Sequence, residues 1–103
     1  MITLINVFTV LSENQQNAFQ GISSIYTEVA QHQVGFISAK ILIAEDGSRV
    51  TAIAQWDSPE HLKAMTTTKE FRDLHTKEFR DAIVSIDSHV YNVGIELGET
   101  GKI

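Results

Sequence analysis

Residues 50–79 read VTAIAQWDSPEHLKAMTTTKEFRDLHTKEF, and no other stretch of the chain says as much about its architecture. Val50 to Trp56 alternates, with Val50, Ala52, Ala54 and Trp56 on one face and Thr51, Ile53 and Gln55 on the other, the period of a strand. The strand ends on the chain's only tryptophan. Ser58-Pro59-Glu60 then starts a helix, with serine as N-cap and proline at the first helical position. That helix stops around Met65, because Thr66-Thr67-Thr68 is β-branched and polar, a poor helix interior and a good place for a new cap. A further helix is predicted from about Lys69 to Ile83. In it Lys-Glu-Phe-Arg-Asp occurs twice, at 69–73 and 77–81, and the eight-residue offset is close to two helical turns. Phe71 and Phe79 therefore share a face, with His75 midway between them. Asp73 and Lys77 are placed to pair at i,i+4 on the outer side. A strand that brings one large aromatic up to a helix carrying a histidine among Phe71, Leu74 and Phe79 is a way to make a small buried cavity.

On the N-terminal side, Asp46-Gly47 within Glu45–Ser48 is a strong hairpin signal, and it joins Arg49–Trp56 to a preceding strand from Gly35-Phe36 to Ala44. Before that, Ser12 followed by Gln15 is a capping-box pattern that opens a helix ending near His32. Its apolar stripe is Ala18, Ile22, Ile25 and Val29, flanked by Phe19 and Tyr26. Gly21 in this helix leaves room for close packing on a sheet. Ile2 to Val10 is a first strand, with Leu4, Asn6, Phe8 and Val10 on one face and Ile5, Val7 and Thr9 on the other. On the C-terminal side, Val84 to Leu97 reads as a long last strand with polar residues on both faces, and Gly98 to Ile103 as a loose tail. The order is β-α-β-β-α-α-β over a single domain, residues 1–103. This is the α+β, ferredoxin-like pattern of a four-stranded antiparallel sheet with helices on one face. The other face stays apolar at alternate positions, too large a patch for a soluble monomer, and a two-fold homodimer with sheets face to face would cover it.

Composition narrows the function. The chain has 103 residues and a net charge of −5, without a run of lysine and arginine that could track phosphates. Nucleic acid and anionic membranes are poor partners for such a surface. There is no cysteine, which excludes disulfides and thiolate chemistry and fits a reducing cytoplasm. The apolar Met1–Leu11 segment is too short for a membrane span and reads as a strand. No His-x-x-x-His or carboxylate cluster suggests a metal site, and no Ser-His-Asp set, P-loop or dinucleotide fingerprint occurs.

With Gly35-Phe36 entering the second strand, Asp46-Gly47 in the hairpin, Ala54-Gln55-Trp56 closing the third strand, the Ser58-Pro59-Glu60 helix and the Phe71 helix, the chain resembles the antibiotic biosynthesis monooxygenase domain family. The resemblance covers nearly the whole chain and implies a dimeric α/β-barrel fold. It also implies oxygenases that use neither flavin nor metal. In them an electron-rich phenolic or anthrone-like substrate loses a proton, and the carbanion passes an electron to O₂. The protein supplies orientation, desolvation and oxyanion stabilisation. Other relatives of the fold bind and degrade haem. Polyketide-oxidising relatives carry an asparagine four residues before the strand-end tryptophan, where this chain has Ala52. Haem-degrading relatives use an asparagine on the first strand, a tryptophan on the short helix and a histidine on the later helix. Asn6 and His75 match the first and third, and Met65 stands at the second.

The candidate catalytic residues are Asn6, His75 and Trp56. Asn6 is an amide in an apolar strand, and buried without a partner it would cost about 1–3 kcal/mol; a neighbouring backbone group or His75 could supply one. It would orient a substrate oxygen. His75 is read either as a satisfied core histidine or as proton acceptor, since imidazole exchanges its proton near neutral pH. Trp56 would wall the cavity, or serve as a core or dimer-contact residue. Phe8, Tyr26, Met65, Phe71 and Phe79 are expected to line the cavity, and His32, His61 and His89 to lie on the surface or in loops. The readings left standing are a cofactor-independent monooxygenase acting on a small aromatic or quinol-like molecule, a haem-binding or haem-degrading protein, and a non-catalytic small-molecule or interaction module.

Overall fold

The first strand, β1 (Ile2–Val10), is internal in a four-stranded antiparallel sheet of order β2-β3-β1-β4. The computed structural model of the chain describes residues 1–98. The other strands are β2 (Phe36–Ile43), β3 (Arg49–Trp56) and β4 (Ile83–Tyr91). Helix α1 (Gln15–Ser24) continues through a π-helical turn at Ile25–Val29 and a 3-10 turn at Ala30–His32. The later helices are α2 (Pro59–Thr66), α3 (Lys69–Asp73) and α4 (Lys77–Asp81). This is the expected α+β, ferredoxin-like arrangement. The helices cover the face that carries Leu4, Phe8, Val50, Ala52, Ala54 and Trp56, all buried, and α1 with its π turn buries Ala18, Ile22, Ile25 and Val29 against it.

The hairpin forms as its residues dictate. Gly47 takes φ +80°, and the Asp46 carboxylate accepts from the Ser48 backbone N–H at 2.9 Å. Ser58 caps α2 by accepting from the His61 N–H at 3.3 Å, with Pro59 at the first helical position.

Five local expectations are corrected. The capping box at Ser12 does not form: a 3-10 turn spans Ser12–Asn14, and the Gln15 amide instead donates to the carbonyls of Ala44 and Arg49 at 2.9 and 3.1 Å, tying the helix start to the hairpin. Gly21 makes room for Phe79 of α4 rather than for the sheet. The helix expected from Lys69 to Ile83 is two short helices, because Thr76 caps a new start by accepting from the Phe79 N–H, as Thr68 does for Phe71. The outer ion pairs are accordingly Lys69–Asp73 and Lys77–Asp81, one within each helix, and not Asp73–Lys77. The last strand ends at Tyr91, not Leu97. Among the described residues its sole partner is β1, which starts at Ile2, and Tyr91 already pairs with Thr3. The loose tail falls almost wholly on 99–103, outside the described residues.

The second face of the sheet carries Ile5 and Val7 of β1, Ile53 of β3 and Leu42 of β2, with Ile5 directly opposite Ile53. The helices leave it uncovered.

Candidate active site

Helices and sheet do not close completely on one another. Between β1 and β4 below and the helices above lies a cavity of about 420 Å³. Strand β1 contributes Asn6 to its floor, between Leu4 and Phe8. In β4 the residues paired with these three are Val90, Ser88 and Ile86, and they too border the cavity. On the helical side Ile22 and the successive residues Ile25 and Tyr26 of the π turn reach it. Met65 of α2, Phe71 of α3 and Phe79 of α4 complete the apolar wall, with His75 between the two phenylalanines.

The break between α3 and α4 sets His75. Its ring packs between Phe71 and Phe79, tilted to the first and edge-on to the second, with centroid separations of 4.5 and 5.6 Å. Its Nδ1 lies 2.7 Å from the Phe71 carbonyl oxygen. A carbonyl only accepts, so Nδ1 carries the hydrogen, and in the neutral ring Nε2 keeps its lone pair. Nε2 has no hydrogen-bond partner among the described residues.

The Asn6 amide is satisfied neither by His75 nor by backbone but by Ser88, whose hydroxyl donates to Oδ1 at 2.5 Å. The Tyr26 hydroxyl has no hydrogen-bond partner among the described residues, and burial pushes the phenol up to about 12, so it stays protonated and acts as a donor. Among the described residues, none that borders the cavity is aspartate, glutamate, lysine or arginine. The cavity is neutral and mostly apolar, with one basic nitrogen and a few neutral donors, suited to a flat, largely apolar guest with an acidic hydrogen.

Of the residues singled out from the sequence, Asn6, Phe8, Tyr26, Met65, Phe71, His75 and Phe79 border this cavity. Trp56 does not. It is fully buried behind the cavity, edge-on to Phe36 at 5.5 Å and clustered with Ile2, Val29, Ala30 and Met65. Its strand lies on the far side of β1 from β4, and Met65 belongs both to its cluster and to the cavity wall. The indole N–H has no partner among the described residues. In the sequence Ser88 is one of several polar residues of the last strand and is not singled out for the site. The signal that could have found it is a polar residue between Ile86 and Val90, matching the polar interruption of Leu4–Asn6–Phe8 once the strands are paired. His61 and His89 lie away from the cavity, hydrogen-bonded to Asp57 and Asp87. The His61 bond holds the Asp57 carboxyl below the usual carboxylate range.

Among the described residues no group of three or more histidine, aspartate or glutamate side chains could hold a metal ion, and no helix is long and apolar enough to cross a membrane.

Comparison with known proteins follows the same lines. The sequence pattern of the family described as "Antibiotic biosynthesis monooxygenase" matches residues 1–77. The chain is 34% identical over 65 residues to tetracenomycin-F1 monooxygenase of Streptomyces glaucescens, a match covering 63% of this chain and 58% of that protein, less than two thirds of its length. Among solved structures, SnoaB, a cofactor-independent oxygenase from Streptomyces nogalater, superposes with a TM-score of 0.73 at 18% identity, over 95% of this chain and 97% of that one. Rv0793 from Mycobacterium tuberculosis gives 0.75 at 12% identity, over 96% and 97%. At these identities the structural likeness establishes the fold.

Proposed function

The chain belongs to the antibiotic biosynthesis monooxygenase family, and from that premise we propose that it is a cofactor-independent monooxygenase acting on a small aromatic or quinol-like molecule held in the cavity. The observation that carries the reading is His75: its hydrogen is committed to the Phe71 carbonyl, which leaves Nε2 as a base in a neutral, mostly apolar cavity. An anthrone-type substrate gives up its acidic C–H proton to that nitrogen. The carbanion passes one electron to O₂, the radical pair combines to a peroxide, and loss of water leaves a ketone. One oxygen atom enters the product, the other leaves as water, and O₂ is the sole oxidant. Asn6 and Tyr26 hold the substrate oxygen on which the charge of the enolate gathers.

Asn6 also answers the missing amide at position 52. It pairs with Ala52 across β1 and β3, on the same face, so the amide stands one strand away from the position where polyketide-oxidising relatives carry theirs. Haem is the less well matched guest. His75 offers one imidazole, but among the described residues no lysine or arginine borders the cavity to pair with the haem carboxylates.

The working unit we propose is a homodimer, packed through the face bearing Ile5, Val7, Leu42 and Ile53. The cytoplasm is the compartment we assign, in keeping with the absence of cysteine.

The test is oxygen uptake with 1,8-dihydroxyanthrone and a panel of quinols, beside a haem titration. Uptake that His75→Ala abolishes supports the monooxygenase. A Soret shift that His75→Ala abolishes, without uptake, favours haem. Folded protein silent in both assays points to a non-catalytic binding module.

A further inference from the structure

Two apolar stripes on adjacent strands are each interrupted once, at the same rung. On β1 the stripe runs Leu4, Asn6, Phe8; on β4 the residues paired with these are Val90, Ser88 and Ile86. Asn6 and Ser88 thus face each other directly at the floor of the cavity, and the serine hydroxyl donates to Oδ1 of the amide at 2.5 Å. Among the described residues Asn6 makes no other side-chain hydrogen bond. A carboxamide has an acceptor end and a donor end, and rotation about its last bond exchanges them. With Oδ1 held by Ser88, the end left for a guest is the NH₂ group, a donor. Released, the amide could turn either end, and its oxygen would repel a substrate oxygen that gains charge during reaction.

We propose that Ser88 is a positioning residue: its hydroxyl fixes the Asn6 amide with the donor end toward the substrate oxygen. This rests on the reading that Asn6 binds that oxygen. Ser88 itself does not touch the reacting atoms, so its whole effect passes through Asn6. The loss of one neutral hydrogen bond sets the expected size of that effect at about three- to tenfold in kcat, with KM nearly unchanged, because the interaction strengthens only as charge develops.

Two measurements test it. In the first, the side-chain NH₂ signals of Asn6 are followed by ¹⁵N NMR and identified by their disappearance in Asn6→Ala. Ser88→Ala is expected to move them, and Ser88→Thr, which keeps the hydroxyl, to leave them in place. In the second, oxygen uptake with 1,8-dihydroxyanthrone is compared in Ser88→Ala, Asn6→Ala and the double variant. The Ser88→Ala loss is expected to vanish in the Asn6→Ala background, and Ser88→Thr to restore the wild-type rate. Unmoved amide signals in Ser88→Ala, or additive losses in the double variant, overturn the proposal. A wild-type protein that consumes no oxygen with this anthrone counts against the monooxygenase reading, while the amide signals still decide the role of Ser88.

Discussion

His75 donates its Nδ1 hydrogen to the Phe71 carbonyl at 2.7 Å, one helical turn back, at the point where α3 gives way to α4. The bond fixes the tautomer and holds the ring between Phe71 and Phe79. Replacing His75 with glutamine keeps a side chain that can donate to the same carbonyl and removes the base. General-base catalysis contributes about 10²–10⁴-fold. His75→Gln should therefore lower kcat for anthrone oxidation by at least about a hundredfold while the fold, followed by circular dichroism, is kept.

Burial raises the Tyr26 phenol from its ordinary 10.0 to about 12. The folded state therefore holds this proton more tightly than the unfolded state. The stabilisation is complete below pH 10 and is lost as pH rises toward 12. Each pKa unit is worth about 1.4 kcal/mol, and partial exposure of the ring discounts the total to roughly 2 kcal/mol. Denaturant titrations between neutral and alkaline pH should show that decline, and Tyr26→Phe should flatten it.

Phe79 lies against Gly21 so closely that a Cβ there would stand 2.2 Å from the ring's Cδ1. Alanine normally stabilises a helix by about 1 kcal/mol relative to glycine. Here the ring would have to move within the core, which typically costs about 1–3 kcal/mol. Gly21→Ala should lower stability to chemical denaturation, and the displaced ring should disturb the cavity that Phe79 borders.

Thr76 starts α4 by accepting from the Phe79 N–H at 3.2 Å. Thr76→Ala removes that cap at a cost of about 1 kcal/mol. Thr76→Ser should recover most of it. The unfolding midpoints of the two variants in urea check the expectation.

Ile5 and Ile53 face each other on the uncovered side of the sheet. Sedimentation equilibrium at micromolar concentration should give the mass of two chains, and Ile53→Lys, which places a charge in that patch, should give the mass of one.

Local features read true where their causes lie within a few residues. The alternation of Val50–Trp56, the Asp46-Gly47 turn and the Ser58-Pro59 helix start are each set by neighbours, and all three form. The expectation of one helix across 69–83 went astray although the cue was present: each Lys-Glu-Phe-Arg-Asp copy follows a threonine, Thr68 and Thr76, and each threonine caps its own helix. The Ser12–Gln15 capping box went astray because the Gln15 side chain found two carbonyls on a hairpin about thirty residues away, a competition that no local pattern contains.

Periodicity and capping, which act along the chain, sufficed for the four strands and the first two helices, and the resemblance of a few motifs pointed to the family. They also marked Asn6 and His75, because a polar group in an apolar stripe stands out in one dimension, and with Phe8, Tyr26, Met65, Phe71 and Phe79 about half of the residues around the cavity. Which of those residues share one space was settled by packing. Trp56 does not border the cavity: it packs in a cluster with Ile2, Val29, Ala30 and Met65, on a strand that lies on the far side of β1 from β4. Ser88 meets Asn6 across 82 residues because antiparallel pairing sets them on the same rung. Such encounters depend on strand order and register, which follow from the energy of the assembled sheet and not from any short run of residues.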